Sequence, residues 1–375
     1  MEKLIKNIDY VIPLITLVLI MMGLVLIGSA THVNEGSFWN NIFLQKQLIA
    51  TLVGSIAIGI ILVFDYRILQ DYVNVIYGGI VLVLVGILFV AQTIQGGQSW
   101  IRLGPFSFQP SEITKIAVII TLADVLTKRK RRIKYILGLI VPGIYIGVPF
   151  ILILLQNDLG TSLVLLAIFI GMIYVAGANS KFLFGSIFGV IAVTASWVSA
   201  HLYLGVPIPL QRYQLNRFLV LVNPQFDPLG AGYNVIQSKV AIGSGGIFGK
   251  GLFAGTQNQL NFLPERHTDF IFSVLGEEFG LIGTMVVLVC YFILIWRGIT
   301  VAKNAKDSFG RFLVIGVLCM YIFHIVENVG MTLGIMPVTG IPLPFISYGG
   351  SAMVTNLIGI GLILNVNMRR KKLSF

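Results

Sequence analysis

The feature that most constrains this chain is a repetition. Apolar runs of about 20 residues recur along its length, the number a helix needs to cross a bilayer's hydrocarbon core. In order they predict ten spans, at 9–31, 47–64, 72–94, 110–127, 135–155, 159–177, 181–205, 268–296, 312–335 and 343–367. A chain of 375 residues that is 56% hydrophobic and 11% charged carries more apolar surface than a soluble core of that length requires. The MEKLIKN segment before the first run has no small-residue cleavage site after it, and reads as the flank of a retained helix. Cys290 and Cys319 both lie inside apolar runs, which points to neither a disulfide framework nor a metal site.

Positive charge sets the orientation. Lys3, Lys6, Arg67, the KRKRRIK run at 128–134, Lys181, Arg297, Lys303, Lys306, Arg311 and the run from Arg369 to Lys372 fall on one side, which is therefore read as cytoplasmic, with both termini inside. The net charge of +11 suits loops that face anionic lipid and gives no reason to invoke nucleic acid. Lys46 and Arg102 are isolated exceptions. The larger exception is 206–267, an extracellular loop region between helices 7 and 8 that carries Arg212, Arg217, Lys239, Lys250 and Arg266. A loop of about 60 residues is where the charge rule stops applying. Solvation or an anionic ligand would each explain these cations. The expected fold is thus an all-α polytopic membrane protein, a single integral domain over 1–375.

The polar residues inside this frame are few. The fourth span opens with SEITK, so Glu112 and Lys115 share a helix face. They read either as a self-neutralising pair or as a polar wall of a cavity, since charges at membrane depth face a partner or water. Before them, 96–110 is a turn-rich outer loop whose Trp100 is an interface anchor or a stacking platform. Asp158, in a tight outer turn, caps the next helix or holds a cation. In 227–260 an amphipathic stretch, Tyr233 to Ile242, precedes a glycine-rich loop whose amides could face an anion. That loop is not a P-loop, because GK[ST] is missing. Pro337, Pro342 and Pro344 break the backbone between the last two spans, where Ser347, Tyr348 and Ser351 are placed to line a wet space. His324 in its helix reads first as a packing residue. The densest polar stretch is LPERHTDFIFSVLGEEFG, 263–280, which runs straight into an apolar helix.

Three long motifs, LPERHTDFIFSVLGEEFG, DPLGAGYNVIQSKVAIGSGGIFGKG and NVGMTLGIMPVTGIPLPFISYGGS, resemble the SEDS family (shape, elongation, division and sporulation), in the expected order and over nearly the whole chain. GTQNQL followed by FLPERHTDFIF is similar to the RodA-like, elongation branch. One departure is QNDLGTS at 156–162, where a proline is expected in place of Asn157. The resemblance implies a SEDS-type fold of ten transmembrane helices in the bacterial cytoplasmic membrane. It implies a peptidoglycan glycosyltransferase that polymerises lipid II at the outer face, in cell elongation and shape maintenance, working with a class B penicillin-binding protein. The family's essential acid falls on Asp269, its SExxK pair on Glu112 and Lys115, its loop tryptophan on Trp100, and its turn aspartate on Asp158. His267, Ser347 and Ser351 join the expected substrate-binding set.

Lipid II carries its sugar α-linked to pyrophosphate and the polymer is β-linked, so one inverting displacement suffices. That asks for one carboxylate as base, here Asp269, and positive charge on the departing pyrophosphate. Arg212, Arg217, Lys239, Lys250 and Arg266 are candidates for that charge, with a divalent cation, Mg²⁺ or Mn²⁺, at no assignable site. One physical objection is that Asp269, read in the first turn of its helix and near Arg266, should be a weakened base, while partial desolvation at the membrane edge, once lipid fills the site, acts the other way. A reading from another class, a lipid II flippase, shares the ten spans and the intramembrane Glu112 and Lys115. A scaffold that only recruits the penicillin-binding protein is a third.

Overall fold

The computed structural model describes residues 7–35, 41–90, 92–94, 97–103, 106–130, 132–207, 212–228 and 230–370. The apolar runs form long helices: α1 (Val11–Glu35), α2 (Ile42–Val63), α3 (Val73–Val90), α4 (Pro110–Arg129), α5 (Ile140–Leu155), α6 (Leu159–Val175) and α7 (Ser180–Leu204). After the segment holding α8 (Arg212–Val222) and α9 (Ala231–Gly245) come α10 (Ile271–Lys303), α11 (Ser308–Thr332) and α12 (Gly350–Met368). Six of the described helices are long and apolar enough to cross a membrane, and two shorter ones, Val73–Phe89 and Leu159–Val175, are apolar.

The fold is not wholly helical. The stretch expected as a turn-rich loop forms a three-stranded antiparallel sheet, β1 (Gln92–Ile94), β2 (Gly97–Leu103) and β3 (Phe106–Phe108). Leu103 pairs with Phe106 and Ile101 with Phe108, so two residues join β2 to β3. Gly104 and Pro105, which signal a loop in the sequence, fall between β2 and β3 and lie outside the described residues.

The core lies around α11 and α12. Their buried apolar residues, such as Leu313, Val317, Ile360 and Ile363, pack against α2, α4, α6 and α10. Polar side chains tie helix ends together: Asn365 on α12 donates to the carbonyls of Ile61 and Phe64, where α2 ends. At that end of the bundle Arg67 pairs with Asp307 (3.0 Å), Arg297 with Asp9 (2.8 Å) and Lys128 with Asp124 (2.7 Å).

α10 breaks at Gly280, whose φ of 63° is outside helical space. In an unbroken helix the amides of Leu281 and Ile282 would bond the carbonyls of Glu277 and Glu278. The glycine-rich loop supplies all four partners instead. Lys250 and Gly251 donate to the carbonyls of Glu277 and Glu278 (3.0 Å each), while the carbonyls of Gly246 and Ile247 accept from Leu281 (2.9 Å) and Ile282 (3.2 Å). A Cβ on Gly280 would run into the backbone nitrogen of Gly249, so the approach requires glycine. The loop amides read from the sequence as available to an anion are spent on a helix kink.

Candidate active site

Four chain segments meet where helices begin. Gln109 precedes α4, Asp158 caps α6, Asp269 lies two residues before α10, and Gly350 opens α12. All four line one cavity of about 290 Å³. The N-termini of helices carry partial positive charge and unpaired amides, so this arrangement biases the cavity toward an anion. Asp158 knits the rim. Its carboxylate accepts from the Thr161 amide (3.0 Å), as a cap does, and also from Gln109 Nε2 (2.9 Å), Ser111 Oγ (3.1 Å) and Thr161 Oγ1 (2.9 Å). Ser351 Oγ accepts from the Gln109 amide (3.1 Å). Asn157 in this turn has φ 61°, which asparagine tolerates and the proline expected there could not adopt.

Asp269 lies just outside its helix, and its backbone is fixed from behind. Asn328 Nδ2 donates to the carbonyls of Asp269 and Ile341, 2.9 Å each. Ser347 Oγ donates to the Thr268 carbonyl (2.7 Å), and the Tyr348 amide to that of His267 (2.9 Å). The half-buried carboxyl is pushed up to about 6, first by burial and then by the neighbouring Glu265 carboxylate, against the opposing pull of Arg217 and a hydrogen bond from Thr268. Of the two opposing effects expected, desolvation outweighs the weakening. The residue is not in the helix, and Arg266 faces elsewhere, its Nε donating to the Ala30 carbonyl at 2.6 Å.

Elsewhere in the lining, Lys115 Nζ lies 2.8 Å from Glu112 Oε2, both side chains nearly inaccessible yet bordering the cavity. Trp100, on β2 opposite Gln92, and Arg217, on α8, complete the expected residues that share it: Trp100, Glu112, Lys115, Asp158, Arg217, Asp269 and Ser351. The others lie apart. Lys239 lines a smaller adjoining cavity, which Arg217 also borders. Lys250 pairs with Glu277 (2.8 Å) under the α10 kink. His267 packs between the Phe43 and Tyr348 rings, 4.6 and 5.7 Å away, where burial lowers its pKa. Ser347 is buried in backbone hydrogen bonds. The side chain of Arg212 lies outside the described residues.

Sequence reasoning passed over Gln109, Thr161, Glu265 and Thr339, which also line the cavity. Each is an ordinary polar residue beside a motif residue. A capping-type spacing, as in Asp158-x-x-Thr161, was the available signal. Among the described residues no three or more His, Cys, Asp or Glu side chains converge into a metal cage. The donor set fits the other mode of binding Mg²⁺ or Mn²⁺, through one or two carboxylates and a ligand's phosphates: Asp269 and Glu265 share the cavity and repel each other.

Known proteins resemble this chain over nearly its whole length. The family model for FtsW, RodA and SpoVE, described as a cell cycle protein, matches residues 10–372. The chain is 36% identical over 378 residues to the peptidoglycan glycosyltransferase MrdB of Escherichia coli K12, covering 98% of this chain and 95% of that protein. It is 38% identical over 368 residues to the stage V sporulation protein E of Bacillus subtilis, covering 96% of each. A chain of a peptidoglycan synthase complex, described for its coordination of polymerization and crosslinking, superposes with a TM-score of 0.81 at 29% identity, over 97% of this chain and 98% of that one.

Proposed function

The chain belongs to the FtsW/RodA/SpoVE family of cell cycle proteins, and on that premise we propose that it is a peptidoglycan glycosyltransferase that polymerises lipid II. The observation that carries the reading is Asp269, an acid of raised basicity in a cavity ringed by helix N-termini and cations. In this reading ten helices, α1–α7 and α10–α12, cross the cytoplasmic membrane. The end bearing Arg67, Lys128, Arg297 and Arg369 faces the cytoplasm, as do both termini, and the cavity faces outward. The segment 206–267 is then an extracellular region that caps the cavity within a single membrane domain.

Asp269 Oδ takes the proton from the acceptor sugar hydroxyl, and that oxygen attacks the anomeric carbon of the donor. The bond to pyrophosphate breaks, and polyprenyl pyrophosphate departs with the electron pair, turning the α-link into a β-1,4-link. A base whose pKa lies near the working pH suits this task. Arg217, Lys115 and the amides at the start of α12 stabilise charge on the leaving group. A divalent cation bound by Glu265 together with the pyrophosphate would neutralise further negative charge and leave Asp269 free as the base. Trp100 offers a face to a sugar ring. A class B penicillin-binding protein, which cross-links the product, is the partner that fits the synthase-complex match, and the FLPERHTDFIF stretch favours a role in the elongation machinery.

The test is a polymerase assay on purified protein, with and without its penicillin-binding protein, given labelled lipid II and a divalent cation. Long glycan from the native chain and none from Asp269→Ala is expected. Equal glycan from both variants would sink the assignment of the base. No glycan from either, with lipid II crossing vesicle bilayers, would favour the flippase.

A further inference from the structure

α11 presents three buried polar residues on one face, His324, Glu327 and Asn328, at i, i+3 and i+4. Each reaches a group that lines or frames the cavity. Asn328 holds the carbonyls of Asp269 and Ile341, Glu327 accepts from Thr339 Oγ1 (2.8 Å), and His324 Nε2 lies 3.3 Å from Lys115 Nζ. A helix buried mainly for packing has no need of three such contacts, each costly if left unpaired.

We propose that His324 is a positioning residue for the reaction, holding the Lys115 ammonium at the cavity wall between the imidazole and Glu112. This rests on the reading that the cavity is the site of polymerisation. An ammonium only donates, so Nε2 must be the unprotonated nitrogen and the proton sits on Nδ1. Among the described residues Nδ1 has no partner, and Lys115 is the one group His324 bonds to. The imidazole is completely buried, so solvent cannot hold the ammonium in its place. A carboxylate there would also hold Lys115, but it would make the wall negative toward an anionic donor. A neutral imidazole accepts the hydrogen bond and leaves the Glu112–Lys115 pair neutral. An apolar residue would leave Glu112 as the ammonium's sole partner and draw it away from the leaving group.

The test compares His324→Gln, His324→Asn and His324→Leu with the parent and with Asp269→Asn, by lipid II polymerisation with the penicillin-binding protein present and by thermal midpoint. A glutamine amide reaches where Nε2 stood; an asparagine amide reaches only where Nδ1 stood. Turnover should stay within about threefold for Gln and fall about tenfold or more for Asn and Leu, with folded protein in each case. Lipid II binding, readable without turnover, should weaken for His324→Leu and should not weaken further when Lys115→Met is added. A loss in folded His324→Gln as large as in Asn, parental activity in Asn, or binding losses that multiply in the double variant would each overturn the proposal. An active Asp269→Asn would instead remove the reading of the cavity beneath it.

Discussion

Two charged clusters, one at the α10 kink and one just ahead of the helix, differ in what their charges touch. Under the kink, Glu277 accepts from Lys250 Nζ (2.8 Å), Thr256 Oγ1 (3.1 Å) and the Gln257 amide (3.0 Å), and the loop amides around it are bonded to helix carbonyls. Its charge is consumed within the protein. Ahead of the helix, Asp269 is held by its backbone while its carboxyl lines an open cavity with Arg217, Lys115 and four helix starts. The first cluster is a clamp and the second a site. Both clusters pair acids with bases; the difference is whether the polar groups are spent.

The sharpest way to break that distinction is at Asp269. Asp269→Asn keeps the shape and removes the base, so polymerisation should fall by roughly 10²–10⁴-fold while the protein stays folded. Glycan length on a gel, beside a melting curve, checks both halves. The reverse pattern is expected at the clamp. Lys250→Met leaves Glu277 buried with its neutral donors but without its cation, which should cost about 3 kcal/mol of stability. Turnover per folded molecule should stay within about twofold. A stable, inactive Lys250→Met would move Lys250 into the site.

The raised pKa of Asp269 gives an intermediate effect with a definite sign. The base must be ionised, so kcat/KM should fall about tenfold per pH unit below about 6 and level off above it. Stability runs the other way. The folded pKa lies above the ordinary 3.8, so this group's contribution is fully present below pH 3.8 and is lost as pH rises through 6. Asp269→Asn should therefore be more stable than the parent at pH 7, by about 1–2 kcal/mol after allowing for partial exposure. Melting curves in which the gap between Asp269→Asn and the parent is the same at pH 4 and pH 7 would mean that the carboxyl is well solvated.

How much of this was legible follows from the range of the interactions. The helices were readable because a span is a local property of about 20 residues. The motif residues Trp100, Glu112, Asp158 and Asp269 were readable as a set, and the cavity gathers them. The sheet at 92–108 was missed because its glycines and proline signal a turn without saying what flanks it. The clamp was missed for a different reason. Lys250 finds Glu277, and His324 finds Lys115 from 209 residues away, and no pattern in either segment names its partner. The same blindness put Lys250, Arg266 and Arg217 on one footing as candidate cations, although Arg266 is spent on the Ala30 carbonyl.

Lys239 lies between the two classes and gives the smallest expected effect. α11 ends in a Schellman turn: Gly334, at φ 68°, donates to the Met331 carbonyl (3.0 Å) and Ile335 to that of Gly330 (2.8 Å). The Lys239 side chain crosses this turn so closely that a Cβ on Gly334 would strike its ammonium end. A cation at a helix C-terminus stabilises by about 0.3–1 kcal/mol when exposed, and salt screens it. Lys239 also borders the smaller cavity that Arg217 shares with the larger one. If the helix end is its whole business, Lys239→Met should lower the melting point slightly at low salt, not at high salt, and leave KM for lipid II within about twofold. If it meets the pyrophosphate, KM should rise about tenfold or more, because a charge-assisted hydrogen bond to the substrate is lost. Its exposure and its place over a helix end favour the first outcome, which would leave Arg217 and Lys115 as the cations of the site.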